Sequence, residues 1–195
     1  YMTKGIDFYF DFISPYSYIG HKRIEQQGSE LNFTYKPILL GGLHKSWNIT
    51  PQAFIEPKKQ FMIMDCEMVS KKLNIDFKFN SKFPLGTVKL MRGCLTLEGE
   101  QLNKYIKLIF DAYWKDDIDI SGNANLSSLL AKIDINIDDF HKKTEAEEIK
   151  ERLKKLTNDA FKKNIFGAPT YVVNNKNFWG QDRIEFAIEE LNSIT

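Results

Sequence analysis

Residues 6 to 11, Ile-Asp-Phe-Tyr-Phe-Asp, form a short run rich in aromatic and apolar side chains, which predicts a strand. The run stops at Ser14-Pro15. A helix is expected from Pro15 to about Gly28, because Ser14 suits the N-cap and Pro15 the first helical position, where a missing N–H costs nothing. Phe33 to Leu40 reads as a second strand, with Phe33, Tyr35 and Pro37 alternating against Asn32, Thr34 and Lys36. A strand–helix–strand opening implies a right-handed parallel unit.

Strand character then disappears for over a hundred residues. Pro51 to Leu73 carries apolar residues at helical spacing (Phe54, Phe61, Met64, Met68), and helices are also expected over 87–97, 102–114, 126–133, 137–141 and 144–164. Strands return at Thr170 to Val173 and Asn177 to Trp179, joined by a turn at Asn174-Asn175, and a last helix runs from about Gln181 to Leu191. This order fits an α/β fold in which an all-helical block, residues 45–160, is inserted into a small sheet domain made of residues 1–44 and 161–195. Two domains in series would leave two strands at each end with no sheet, and such fragments are not stable alone.

Composition narrows the function. The chain has 195 residues, 43% hydrophobic and 27% charged, as a soluble globular protein does. Its 27 basic and 26 acidic residues leave a net charge of +1, so no overall field draws it to nucleic acid. No apolar run approaches the roughly 18 residues of a membrane span, and charged and aromatic residues mix from Lys4 onward, unlike a signal peptide. Cys66 and Cys94 lie far apart with no Cys-x-x-Cys pair. They read as packed free thiols in a reducing compartment, the cytoplasm. The three His and two Cys show no metal-ligand spacing.

The strand–helix–strand, insertion, strand–strand–helix order resembles the thioredoxin fold as DsbA-type proteins use it. Ser-Pro-Tyr-Ser, residues 14–17, occupies the place of that family's Cys-x-x-Cys, and Gly-Ala-Pro-Thr, residues 167–170, resembles its cis-proline loop. More narrowly, "DFISPYSYIG", "FGAPTYVV" and "FWGQDR" are similar to segments of the kappa-class glutathione transferases and 2-hydroxychromene-2-carboxylate isomerases. The fold would bring together motifs about 150 residues apart in sequence. The resemblance implies a glutathione-dependent enzyme, with isomerase ahead of transferase on the strength of "FWGQDR". Members are often dimers, which extends to this chain a homodimer that no sequence feature of its own argues for.

Taken alone, Ser-Pro after a strand is a common helix start, so Ser14 can be only a cap. Its position gives it chemistry to consider. Ser14 and Ser17 keep the two-cysteine frame and lose both sulfurs, which excludes disulfide exchange. A serine nucleophile needs an adjacent base. His21 is two helical turns away, His44 and His141 have no evident path to Ser14, and no Gly-x-Ser-x-Gly elbow exists. What remains is hydrogen bonding to an external thiol. A free thiol titrates near 8.5, and lowering that by about two units requires about 2.7 kcal/mol. A hydrogen bond to a charged group contributes about 1.5–3 kcal/mol, and a helix N-terminus about 0.3–2 kcal/mol. Together these suffice without a metal or a histidine.

Glutathione is the thiol the resemblance names, and its peptide nature suits the binding edge that a cis Ala168-Pro169 bond would expose. Ser14, Pro15 and Tyr16 stand at the mouth of the thiol site, and the resemblance assigns Gln181 and Asp182 to the γ-glutamyl end. It assigns Asn48 and Lys59 to the glycyl end, with Lys58 competing for Lys59's place. Asp182 could equally serve only the helix dipole. Trp47, Phe54, Phe61, Trp114 and Trp179 are candidate walls for a small apolar or aromatic electrophile, or simply core, and Arg92 is a candidate for a substrate carboxylate. A rival of another class is a non-catalytic DsbA-like module that holds a peptide or thiol at the cis-proline edge.

Overall fold

In a computed structural model that describes residues 5–194, Ile6–Phe10 forms β1 and pairs in parallel with β2, Phe33–Pro37. The first four residues, Lys4 among them, and Thr195 lie outside the described residues, as do those ends of the expected boundaries. Between the strands, α1 spans Pro15–Glu25 and starts as its sequence dictates. Ser14 is extended, its side chain accepts the Ser17 N–H, and Pro15 opens the helix. It ends before Gly28, where Gln27 N–H closes a tighter turn on the Ile24 carbonyl.

β2 stops at Pro37 rather than continuing to Leu40. Ile38 N–H still reaches the Phe10 carbonyl, but Leu39 N–H turns to Thr157 Oγ1 and Leu40 N–H to Asp11 Oδ2. The chain leaves the ladder there and enters an unexpected helix, α2, Leu40–Ser46. A 3-10 turn at Gln52–Phe54 leads into the rest of the helical block: α3 Glu56–Lys72, α4 Val88–Gly93, α5 Gly99–Trp114, α6 Asn123–Ala131, α7 Ile137–Thr144 and α8 Glu147–Lys162. β3, Thr170–Val173, runs antiparallel to β1, and β4, Lys176–Trp179, runs antiparallel to β3, giving the sheet order β2-β1-β3-β4. Asn174 and Asn175 both take positive φ (51° and 59°), the conformation of a two-residue hairpin turn. A 3-10 turn at Gln181–Arg183 leads into α9, Ile184–Ser193. The architecture is thioredoxin-like, as expected, with every described strand at the two ends of the chain.

One continuous core joins sheet and helical block. Phe8, Phe10 and Phe12 are fully buried, and Phe110 of α5 packs on Phe10 and Phe12 at ring distances of 5.7 and 4.8 Å. Trp114 Nε1 donates to the Phe12 carbonyl at 2.7 Å, which fixes the end of α5 beside the end of β1. The other side of β1 carries Tyr9 against Ile38, Leu43, Ala160 and Ile165. The expected boundaries at 44/45 and 160/161 fall inside α2 and α8.

α3 faces the opposite way from its apolar spacing. Phe61, Met64 and Met68 are more than half exposed, and the buried positions are Met62, Cys66 and Ser70. The inward face buries Met62 and Cys66, and on the same side Tyr16 donates its hydroxyl to Asp65 at 2.8 Å, which leaves the Phe61 stripe outside. Among the described residues no helix is long and apolar enough to cross a membrane.

Gly93 shows how tightly α4 is packed. A Cβ there would sit 2.6 and 2.9 Å from two Phe140 ring carbons and closer still to Tyr105 Oη. Gly93→Ala should therefore lower the unfolding free energy by about 1–3 kcal/mol. Gly28→Ala, which meets nothing within 4 Å, should leave it nearly unchanged. Urea midpoints of the two variants check the difference.

Candidate active site

The end of β1 delivers Asp11 and Ser14 to the start of α1, where three backbone segments converge. Ser14 is 4% exposed. Its N–H donates to the Asp11 carbonyl at 3.1 Å, its Oγ accepts the Ser17 N–H at 3.0 Å, and its hydroxyl donates to the Ala168 carbonyl at 3.1 Å. The Ala168-Pro169 bond is cis, as the family resemblance implies. Gly167, Thr170 and Gly180 brace this loop. Thr170 Oγ1 donates to the Gly167 carbonyl at 2.8 Å and Gly180 N–H to the Pro169 carbonyl at 2.9 Å. A Cβ on Gly167 would lie 2.5 Å from Trp179 Nε1, so the indole requires glycine there. Ser17, the second position of the frame, is fully buried inside α1 and does not reach the cavity.

That cavity, of about 900 Å³, opens at Ser14. It lies between the α1 start, α2, α3, the loop before α4, the cis-proline loop and the turn before α9. Pro15, Tyr16, Ala168, Pro169, Gln181 and Asp182 line it together with Ser14, so most of the expected thiol-site residues meet in one place. Asn48 and Lys59 are not brought to it. Asn48 lies past the end of α2 with φ 54°, and on α3 it is Lys58 that faces the cavity, one residue and about 100° of helical turn from Lys59. Of the two lysines weighed for the glycyl end, Lys58 is the one on the cavity.

Of the expected aromatic walls, Phe54 and Trp179 line the cavity. Trp47 instead packs on Phe161 and donates Nε1 to the Ile165 carbonyl, Trp114 is core, and Phe61 points to the outside of α3. Phe83 and Phe166, which the sequence did not single out, supply aromatic wall in their stead. Arg92 is off the cavity and pairs with Glu145 at 3.3 Å. His21 is buried between Tyr35 (2.6 Å) and Glu25 (3.2 Å), committed to partners other than Ser14, and burial pushes its ring below the ordinary histidine range.

Electrostatics follow burial. Burial pushes the Tyr16 phenol above its ordinary value, reinforced by Cys66 and Asp65, so it stays protonated as a donor to Asp65. Cys66 and Cys94 are buried free thiols, both pushed up by burial. Gln181 accepts Arg23 at both its side-chain and backbone oxygens (3.0 and 3.1 Å), and Arg23 also pairs with Glu185. Asp182 pairs with its neighbour Arg183 at 3.1 Å on the exposed rim. Among the described residues no cluster of His, Cys, Asp or Glu could hold a metal ion.

Asp11 and His44 are cavity residues that sequence reasoning left without a role. Asp11 is 2% exposed and has no cation beside it among the described residues. Its oxygens accept Ile13 N–H (3.1 Å), Leu40 N–H (2.9 Å) and the Thr87 hydroxyl (2.7 Å), tying β1 to the starts of α2 and α4. Burial raises its carboxyl above the ordinary value, and the three hydrogen bonds only partly offset this.

A profile of the DSBA-like thioredoxin domain matches residues 5–192. The chain is 26% identical over 190 residues to the 2-hydroxychromene-2-carboxylate isomerase of Sphingobium xenophagum, covering 95% of this chain and 96% of that one. It is 27% identical over 200 residues to glutathione S-transferase kappa 1 of Rattus norvegicus, covering 93% and 88%. A solved structure of 2-hydroxychromene-2-carboxylate isomerase superposes with a TM-score of 0.88 over 97% of this chain and 95% of that one, at 23% identity.

Removing the Asp11 carboxylate in Asp11→Ala strands two amides and a hydroxyl, which should cost about 1–3 kcal/mol per unsatisfied buried group. The penalty should depend on pH with a definite sign. Because the native value is raised, the folded state holds the proton more tightly than the unfolded chain. That contribution is full below the unfolded pKa and is lost as pH rises through the native one. Asp11→Ala should therefore cost more in mildly acid than in neutral buffer. Urea unfolding at both conditions measures this, and a penalty that grows with pH would contradict it.

Proposed function

This chain belongs to the DSBA-like thioredoxin domain family, and from that premise we propose that it is a glutathione-dependent isomerase of the 2-hydroxychromene-2-carboxylate isomerase type. The observation that carries the proposal is the position of the Ser14 hydroxyl. It sits at the first turn of α1, within hydrogen-bond distance of the cis-proline loop and at the mouth of a large, mostly apolar cavity, in a frame without sulfur.

Glutathione would supply the missing sulfur. Its thiolate at Ser14 meets a hydroxyl and the Tyr16 N–H, a first-turn amide with no intrahelical acceptor, at the positive end of the helix dipole. For Ser14 to donate to sulfur, its hydroxyl must leave the Ala168 carbonyl. That carbonyl then becomes free to accept the cysteinyl N–H of the bound peptide, so the hydrogen bond is exchanged rather than lost. Lys58 suits the glycyl carboxylate. The Gln181–Asp182 turn suits the γ-glutamyl end, with Asp182 exchanging Arg183 for the ammonium group.

The remaining cavity takes the electrophile. The thiolate adds to a conjugated carbonyl compound, a double bond becomes single and rotates, and the thiolate departs. The similarity to a kappa-class transferase supports a second reading, in which the same thiolate remains bonded in a released product. Ligand binding without turnover would instead support the non-catalytic module.

Ser14→Ala should raise the pKa of bound glutathione by about one to two units, the equivalent of one hydrogen bond to a charged group. It should lower kcat/KM near neutral pH by about 10- to 100-fold. Thiolate ultraviolet absorbance across pH reads the first effect. An unchanged titration would remove Ser14 from the mechanism, and calorimetry showing no glutathione binding at millimolar concentration would remove the enzyme altogether.

A further inference from the structure

α2, the helix absent from the sequence pattern, places a histidine on the cavity. Leu40, Gly41 and His44 recur at three and four residues and share the face of α2 that lines it. Leu40 N–H is anchored on Asp11, three residues before Ser14, and His44 stands one helical turn farther along. Leu43, fully buried beside it, holds the helix in place.

The donors around the cavity are mostly committed. Tyr16 donates its hydroxyl to Asp65, Thr87 to Asp11, and Arg183 pairs with Asp182. Thr50 and Trp179 are exposed at the rim. His44 differs from all of these. Its ring has no hydrogen-bond or ion-pair partner among the described residues, it is half-buried, and burial alone moves its pKa, below the ordinary histidine value. At neutral pH it is an uncharged imidazole with one free N–H and one free nitrogen lone pair.

We propose that His44 is a catalytic residue whose imidazole N–H donates to the carbonyl oxygen of the electrophile and stabilises the negative charge that develops on that oxygen. The inference rests on the glutathione-dependent reading above and adds the group that acts on the second substrate. The electron count is closed. The thiolate lone pair forms the C–S bond, the C=C electrons move so that the carbonyl oxygen becomes an enolate, and the His44 N–H hydrogen-bonds to that oxygen. After rotation about the new single bond, the electrons return, C=C re-forms in the other geometry and the C–S bond breaks, regenerating the thiolate. No oxidant, reductant or net proton is consumed. In a transferase outcome, water protonates the enolate carbon instead.

Three proteins test this: the wild type, His44→Phe and His44→Gln. With 2-hydroxychromene-2-carboxylate as the probe, His44→Phe should lower kcat by about 100- to 1,000-fold, the usual loss for a donor to a developing oxyanion. His44→Gln, which keeps an N–H donor, should recover part of it. Glutathione affinity and the thiolate titration should be the same in all three, which separates His44 from Ser14. A second measurement needs no turnover. In isotope-labelled protein, the imidazole resonances that His44→Gln removes should shift on adding the glutathione adduct of an aryl enone, which bears a carbonyl, and not on adding S-methylglutathione. Wild-type kcat in His44→Phe, or unmoved His44 resonances with the adduct bound, would overturn the proposal while leaving the glutathione site standing. Failure of both glutathione and the adduct to bind would overturn both.

Discussion

A single hydrogen bond, from the Ser14 hydroxyl to the Ala168 carbonyl, ties together parts of the chain 154 residues apart. It can form because β1 and β3 are neighbours in the sheet, with Phe8 opposite Tyr171. Strand pairing brings the end of β1 and the loop before β3 to the same edge, and everything assigned to the site is arranged around that junction. Without it, Ser14 would be a helix cap and Pro169 an ordinary loop proline. With it, the N-terminus of α1 and the cis-proline loop face one cavity.

The helical block does more than roof that cavity. Trp114 grips the Phe12 carbonyl, and Phe110 packs against Phe10 and Phe12, so α5 is fixed against the segment that leads from β1 to Ser14. Asp11 performs the complementary task from the strand side, holding the starts of α2 and α4 through its two oxygens. A buried carboxylate without a cation is costly. Here it accepts three hydrogen bonds from three segments, which fixes the cavity walls relative to Ser14 at the expense of a raised pKa.

Much of the frame was legible because it is set locally. The Ser14 cap, the strands at both ends and the Asn174-Asn175 turn follow from turn chemistry and short-range pattern, whereas the cis-proline loop is legible only through the family resemblance. The errors arise where tertiary contacts decide. Ile38-Leu39-Leu40 reads as a strand end in its apolar run, and Gly41-Gly42 lowers helical propensity, yet Asp11 and Thr157 capture the Leu40 and Leu39 amides and a helix begins. Missing α2 hid His44. The apolar spacing of α3 is present, but tertiary contacts of Met62, Cys66 and Asp65 turn another face inward, and that face carries Lys58 rather than Lys59 to the cavity. Asp11, a lone acid at a strand end, leaves no signal in the sequence that separates it from a surface residue.

The commitments of the polar groups constrain how such a site can discriminate among ligands. Ser14, Thr87 and Tyr16 all donate their hydroxyls to protein oxygens before any ligand arrives. A neutral ligand that engages them exchanges one hydrogen bond for another, so its net gain from each is small, whereas a charged acceptor gains more from the same hydroxyl. Further selectivity comes from groups that have no partner to give up among the described residues: the Tyr16 amide in the first turn of α1, the Lys58 ammonium and the His44 imidazole. These present positive or donor character on an apolar wall, which favours a ligand that brings its own anions and accumulates further negative charge as it reacts. A neutral thiol and a neutral acceptor would find little here beyond apolar contact. On the proposed function, a thiolate, a carboxylate and a carbonyl oxygen becoming an enolate would each meet a group left unpaired without them.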